Sequence, residues 1–226
     1  LGLGEGRIFD RSVLEGAEQE LKRQYLSRGK YAAQVQTTVT PLERNRVAVN
    51  FAVTEGEVAK IRGINLVGAH AFSESELLGL FVLRTPGWLT WYTKNDRYSR
   101  ERLGADLETL RSFYLDRGYL DFAIDSTQVS ITPDRQEIYI TVNLSEGEKY
   151  TVSEVRVGPQ AIVPQEELQA LVRLKPGDVF SRQRLVETQK AIAERLGNEG
   201  YAFANANAVP EADREKRVVA FTLLVD

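Results

Sequence analysis

The chain has 226 residues, of which 42% are hydrophobic and 27% charged, with a formal net charge of −3 and no cysteine. This is the composition of a folded globular chain, long enough for one large domain or two to three small ones. The acidic balance disfavours nucleic acid and anionic lipid, which call for a basic face, and the lack of cysteine removes disulfides and thiolate ligand sites. It fits a secreted or periplasmic chain without fixing one.

The first element is written between Phe9 and Gly29. "FDRSVL" reads as an aromatic at N′, Asp10 as the N-cap, and Leu14 at N4, the pair that forms a hydrophobic staple. Gly29 stands 19 residues after Asp10, where a left-handed residue ends a helix. The apolar stripe Leu14, Ala17, Leu21, Tyr25 has the spacing of one buried helix face. After the glycine the period changes to two: Ala33, Val35, Thr37 and Val39, then a turn at 41–46, then Val47, Val49, Phe51 and Val53. This pattern predicts an antiparallel hairpin with one face on the helix.

"TEGE" (54–57) closes the hairpin, and a strand with apolar Ile61, Ile64 and Leu66 follows it. Ser73 and Glu76 are spaced as a capping box for a short helix over 73–80. The segment from Leu83 to Ser99 spans 16 residues and holds both tryptophans, Trp88 and Trp91, beside Tyr92. Aromatics in such a loop either mark a contact site or staple the loop to its own domain, and stapling is the favoured reading.

The first pattern then returns. "YSRERL" and Gly118 repeat it with Ser99 as cap, and "FSRQRL" and Gly200 with Ser181, each again 19 residues apart. The second helix shows the stripe Leu103, Leu107, Leu110, Tyr114, and the third Leu185, Thr188, Ile192, Leu196. The second hairpin turns at Pro133 and returns through Ile138, Ile140, Val142 and Leu144. Its outgoing strand has Phe122 and Ile124 on even numbers but Val129 and Ile131 on odd ones, as a β-bulge between Ser126 and Gln128 would produce. Two short strands joined by a loop are the alternative. "SEGE" (145–148), a strand with Val152, Val155 and Val157, and a short helix over 164–172 follow. A final hairpin runs through Ala204, Ala206 and Ala208, turns from Pro210, and returns through Val219, Phe221, Leu223 and Val225. The repeating unit is strand, short helix, long helix, strand, strand. The chain opens inside one copy, so it is expected to be a fragment. Three units are expected: a truncated one over 1–57, a complete one with a bulged edge strand over 58–147, and a complete one over 148–226, joined tightly enough for a semi-rigid rod.

That unit resembles the polypeptide-transport-associated (POTRA) module of outer-membrane β-barrel assembly proteins. The residues that carry the resemblance are "ADLETLRSFYLDRG" (105–118), "AIDSTQVSITPD" (123–134), "TPLERNRV" (40–47) and "LVGAHAF" (66–72). By this resemblance the chain would cover the end of the family's second module, its whole third and its whole fourth. The resemblance implies an α+β fold of tandem β-α-α-β-β modules, each a three-stranded mixed sheet with two helices packed on one face. It implies the periplasmic region of a bacterial outer-membrane protein with a C-terminal barrel. Its partners would be accessory lipoproteins of the assembly complex and unfolded outer-membrane proteins, met by β-augmentation of an open sheet edge. It places a propeller lipoprotein on the middle module at Asp125, Val129 and Ile131, with Leu83 and Arg84 nearby. From the residues alone, Val129 and Ile131 could equally be core.

Other classes fit less well. One histidine, His70, and no cysteine leave no His-centred triad or zinc set, so neither an enzyme nor a cofactor is expected. His70 reads as a turn residue, and the acidic pairs Asp106/Glu108 and Glu166/Glu167 as solvated surface. "GLGEG" lacks the lysine of a phosphate loop. The helix–helix joins lack the GxxG of a KH domain, so no nucleic acid partner is expected. The remaining alternative is a rigid spacer in a related transporter of the two-partner secretion type, which would bind no client.

Overall fold

The computed structural model of the chain describes residues 6, 8–87, 93–160, 162–201 and 203–225. The aromatic loop residues Trp88, Trp91 and Tyr92 lie outside them. In chain order the described elements are α1 (Arg11–Ser27), β1 (Gln34–Leu42), β2 (Arg46–Thr54), β3 (Lys60–Val67), α2 (Glu74–Gly79) and α3 (Arg100–Leu115). They continue with β4 (Ala123–Ile131), β5 (Glu137–Ser145), β6 (Thr151–Val157), α4 (Gln165–Ala170), α5 (Arg182–Gly197), β7 (Ala206–Asp213) and β8 (Val218–Val225). The fold is α+β, with strand orders β1-β2, β3-β5-β4 and β6-β8-β7. In the last sheet β6 lies parallel and β7 antiparallel to the central β8, so the sheet is mixed.

The long helices start and stop for the reasons their sequence gives. The Asp10 carboxylate accepts from the Ser12 N–H at 2.8 Å, Ser99 Oγ from Arg102 at 3.4 Å, and Ser181 Oγ from Arg184 at 3.3 Å. Each N-cap thereby satisfies an amide that the helix cannot pair internally. At the other end Gly29, Gly118 and Gly200 take φ of 78°, 98° and 95°. The residue after each glycine bonds back five places: Lys30 to Tyr25, Tyr119 to Tyr114, and Tyr201 to Leu196. That bond is the long closure of a Schellman motif.

Two compact units can be distinguished. The first comprises Leu1–Asn65, Phe81–Asp106 and Thr127–Val142. It buries Val35, Ala59, Ile61, Phe81, Leu103 and Ile138. The second comprises Leu66–Leu80, Leu107–Ser126 and Asn143–Asp226. Within it, β6 and β8 lay Val152, Val155, Val219 and Phe221 against Leu168 of α4 and Ile192 of α5 in one core. Burying each such side chain is worth about 1.5–3 kcal/mol.

Three sequence expectations need correction. Pro41 and Pro210 are not turn residues: Pro41 pairs with Val47 inside β1, and Pro210 with Phe221 inside β7. Proline fits a strand where its missing N–H faces away from the neighbouring strand, as at a sheet edge. Asp106 is not solvated surface but 2% exposed. A register shift also occurs where none was expected, between Val152 and Glu154 of β6. The three-residue step from buried Val152 to buried Val155 is its trace, because an unbroken strand returns to the same face only after even steps. Phe122, just before β4, is buried and Ile124 half-buried on even numbers, and Val129 is half-buried on an odd one.

Candidate docking edges and the joints beside them

β4 is an edge strand of its sheet. At its far end Thr132 N–H donates to Glu137 O across the hairpin at 3.0 Å. Backbone groups alternate sides along a strand, so Val129 and Ile131 turn theirs to the free edge. Ile131 is 40% exposed, and Asp125 is exposed while accepting from Ser145 Oγ at 2.6 Å. Asn143 Nδ2 donates to Ser126 Oγ at 2.9 Å. These side-chain bonds fasten β4 to β5, and among the described residues no side chain bonds to the β4 backbone. The strand contains no proline.

The two remaining candidates stand differently. Leu83 is 1% exposed, and its N–H donates to Asp106 Oδ2 at 2.9 Å. Its side chain is therefore part of the core. Arg84 is exposed, with its N–H donating to Asn95 O at 2.9 Å.

Sequence reasoning missed Asp106. Its carboxylate accepts from Val82 N–H at 2.8 Å as well as from Leu83. Thr188 does the same work at the matching position of α5: its Oγ1 accepts from Arg173 N–H at 3.1 Å and donates to Arg184 O at 2.9 Å. Both stand seven residues after a serine cap, on an otherwise apolar stripe. A polar residue recurring at one buried helix position was the available signal.

Glu146 was missed too. It accepts from the Tyr114 hydroxyl at 2.7 Å, His70 N–H at 2.9 Å and Ala71 N–H at 3.0 Å. Burial opposes its charge, but these donors prevail and hold its carboxyl below the ordinary range. Burial, and then the bond to Glu146, push the Tyr114 phenol up. Glu55 is the matching residue of the earlier repeat; it meets the Tyr25 hydroxyl at 3.5 Å and pairs with Lys30. His70 thus enters this network through its backbone.

The glycine corners carry the joints. Ala59 N–H donates to Gly29 O at 3.1 Å, and Tyr150 N–H to Gly118 O at 2.8 Å. A Cβ on Gly118 would lie 2.8 Å from Val179 Cγ1 and 3.1 Å from Tyr150 O, whereas one on Gly200 would meet nothing within 4 Å. Beside the first joint, Arg135 donates to Tyr31 O at 2.9 Å in a groove of about 570 Å³ lined also by Leu26, Ile131 and Pro133. Among the described residues no cluster of three His, Cys, Asp or Glu could hold a metal ion, and no helix is long and apolar enough to cross a membrane.

Comparison with known proteins gives a consistent result. The POTRA family model, described as "Surface antigen variable number repeat", matches residues 1–56, 59–147 and 150–226. The outer membrane protein assembly factor BamA of Neisseria meningitidis serogroup B is 31% identical over 226 residues, covering 100% of this chain and 28% of that protein. BamA of Buchnera aphidicola is 27% identical over 227 residues, covering 100% of this chain and 37% of its own length. The chain thus spans about a third of these curated relatives. Among solved structures, POTRA3-5 of Haemophilus influenzae BamA aligns with a TM-score of 0.65 and 26% identity, over 74% of this chain and 66% of that one.

Proposed function

The chain belongs to the POTRA family, and from that premise we propose that it is a periplasmic scaffold of an outer-membrane protein assembly factor. It consists of modules over residues 1–57, 58–147 and 148–226, of which the first is incomplete. The longer protein that contains it carries an outer-membrane barrel. The scaffold presents sheet edges to which accessory lipoproteins and extended segments of unfolded outer-membrane proteins add as extra strands.

The observation that carries this reading is the β4 edge. It is a nine-residue edge strand without proline, with the backbone groups of Val129 and Ile131 turned outward. An added strand would gain main-chain hydrogen bonds worth about 0.5–1.5 kcal/mol each. Four of them give roughly 2–6 kcal/mol before ordering costs, so binding is weak and tolerant of sequence. That suits a handler of many clients. The propeller lipoprotein would meet the same strand at Asp125, Val129 and Ile131, with Arg84 as the accessible side chain of the 83–84 pair.

The test is an amide-shift NMR titration with an extended peptide copied from an outer-membrane β-strand, repeated with a purified propeller lipoprotein. Shifts concentrated on residues 122–132 and lost in Val129→Pro support the reading. That proline removes an outward donor without breaking the pairing to β5. No response to either ligand at high concentration would favour a rigid spacer instead.

A further inference from the structure

We propose that the sheet β6-β8-β7 is closed to strand addition at both edges, with Gln165 and Gln169 closing β6, and Pro210 and Gln189 closing β7. Added strands are thereby confined to the edges of the preceding repeats. This inference rests on the edge-pairing function proposed above and assigns it a specificity built into the chain.

Most outward groups of the β6 edge are taken by the protein's own groups. Near its start Val152 N–H donates to Asp178 O at 2.8 Å, and Gly177 N–H to Val152 O at 2.8 Å. Further along, the Gln169 side-chain amide accepts from Val157 N–H at 3.1 Å and donates to Val155 O at 2.7 Å. It makes the two bonds that a peptide group of an added strand would make. Gln165 Nε2 takes the remaining outward acceptor, Val157 O, at 2.8 Å. Gly158 N–H, by contrast, turns inward to Leu223 O at 2.8 Å. A competing strand must break these bonds to make its own, so its net gain is close to zero.

The β7 edge is closed by a different device. Pro210 stands fifth of eight residues in β7 and opposite Phe221 of β8. It has no N–H to offer, so the side of β7 that turns inward at full strength is the odd-numbered one, and the even-numbered groups face out. The Gln189 bond agrees: its Nε2 donates to Ala206 O, an even-numbered acceptor, at 2.7 Å. An incoming strand would therefore find the first outward acceptor taken and the central outward donor missing. β1 also contains a proline, Pro41, but at its eighth position of nine, which leaves the outward groups before it in place. β4 has none. Open edges are a known hazard in sheets, and prolines and covering helices or loops are among the devices that blunt them.

The test titrates a ten-residue peptide of alternating Val and Thr, flanked by lysines, into the 15N-labelled chain. It compares the natural sequence with Pro210→Val, Gln189→Ala and the double variant. Matching thermal unfolding and matching β8 amide shifts without peptide establish that the variants fold alike. The natural chain should show no shifts on 206–213. The double variant should gain them there, with affinity for that edge rising about two- to tenfold per restored hydrogen bond. Shifts on 206–213 of the natural chain would overturn the inference, and so would a double variant that responds on 122–132 alone. A response on 206–213 of the double variant with none on 122–132 of any form would uphold the closure and refute the β4 docking reading. No response anywhere in any form refutes both.

Discussion

Replacing Gly118 by alanine probes the joint between consecutive repeats, and Gly200 supplies the control. The two glycines have nearly equal φ, 98° and 95°. Alanine at either therefore carries the same backbone strain, about 1–3 kcal/mol for a side chain held in a sparsely populated region. The surroundings differ. At Gly118 the new methyl would sit 2.8 Å from Val179 Cγ1, 2.9 Å from Lys149 Cγ and 3.1 Å from Tyr150 O, and at Gly200 it meets nothing within 4 Å. The lysine chain can swing aside, but the Tyr150 carbonyl is backbone and can yield only if the joint opens. Overpacking of this kind costs about 1–3 kcal/mol more. G118A should thus lose roughly 2–6 kcal/mol and G200A roughly 1–3 kcal/mol. Urea denaturation measures the difference, and amide exchange at Tyr150, whose N–H donates to Gly118 O at 2.8 Å, locates it. Equal losses in the two variants, or unchanged Tyr150 exchange in G118A, would refute the claim that the glycine is needed for close approach.

The buried Asp106 gives a second expectation. Asp106→Ala leaves the Val82 and Leu83 amides without an acceptor, at about 1–3 kcal/mol each, and urea denaturation should show a loss of roughly 2–6 kcal/mol. Thr188→Val keeps the shape but removes the acceptor for Arg173 and should cost about 1–2 kcal/mol in the same measurement. The Glu146 carboxyl is held below the ordinary carboxylate range in the folded chain, so its contribution is present above the unfolded value and lost as pH falls through the folded one. Stability measured from pH 6 downward should decline in that window, and Glu146→Gln should flatten the decline. Tyr114→Phe removes the shortest donor to Glu146, brings its carboxyl back toward the ordinary range and should shrink the decline, read by the same unfolding series.

The long helices, their caps and their glycine stops could be read from the sequence because each signal spans fewer than twenty residues and acts on its own backbone. Asp10, Ser99 and Ser181 cap the helices that follow them, and Gly29, Gly118 and Gly200 end those helices with positive φ. The hairpins were legible for the same reason, through a period of two on either side of a turn. Tertiary structure alone decided what depends on groups far apart in the chain. Asp106 reads as a surface acid until α3 brings it to amides 23 and 24 residues away, and Glu146 reads as part of a turn until it meets Tyr114 and the 70–71 amides. Leu83 stands beside the docking strand by resemblance, and only packing shows that its side chain is buried. Pro41 and Pro210 read as turns because proline breaks a strand only on its bonded side, and which side is bonded depends on a partner strand that no local pattern names. The local sequence determines which elements form and where they end; the pairing of distant elements determines which edges are open, because an edge is defined by the neighbour it lacks.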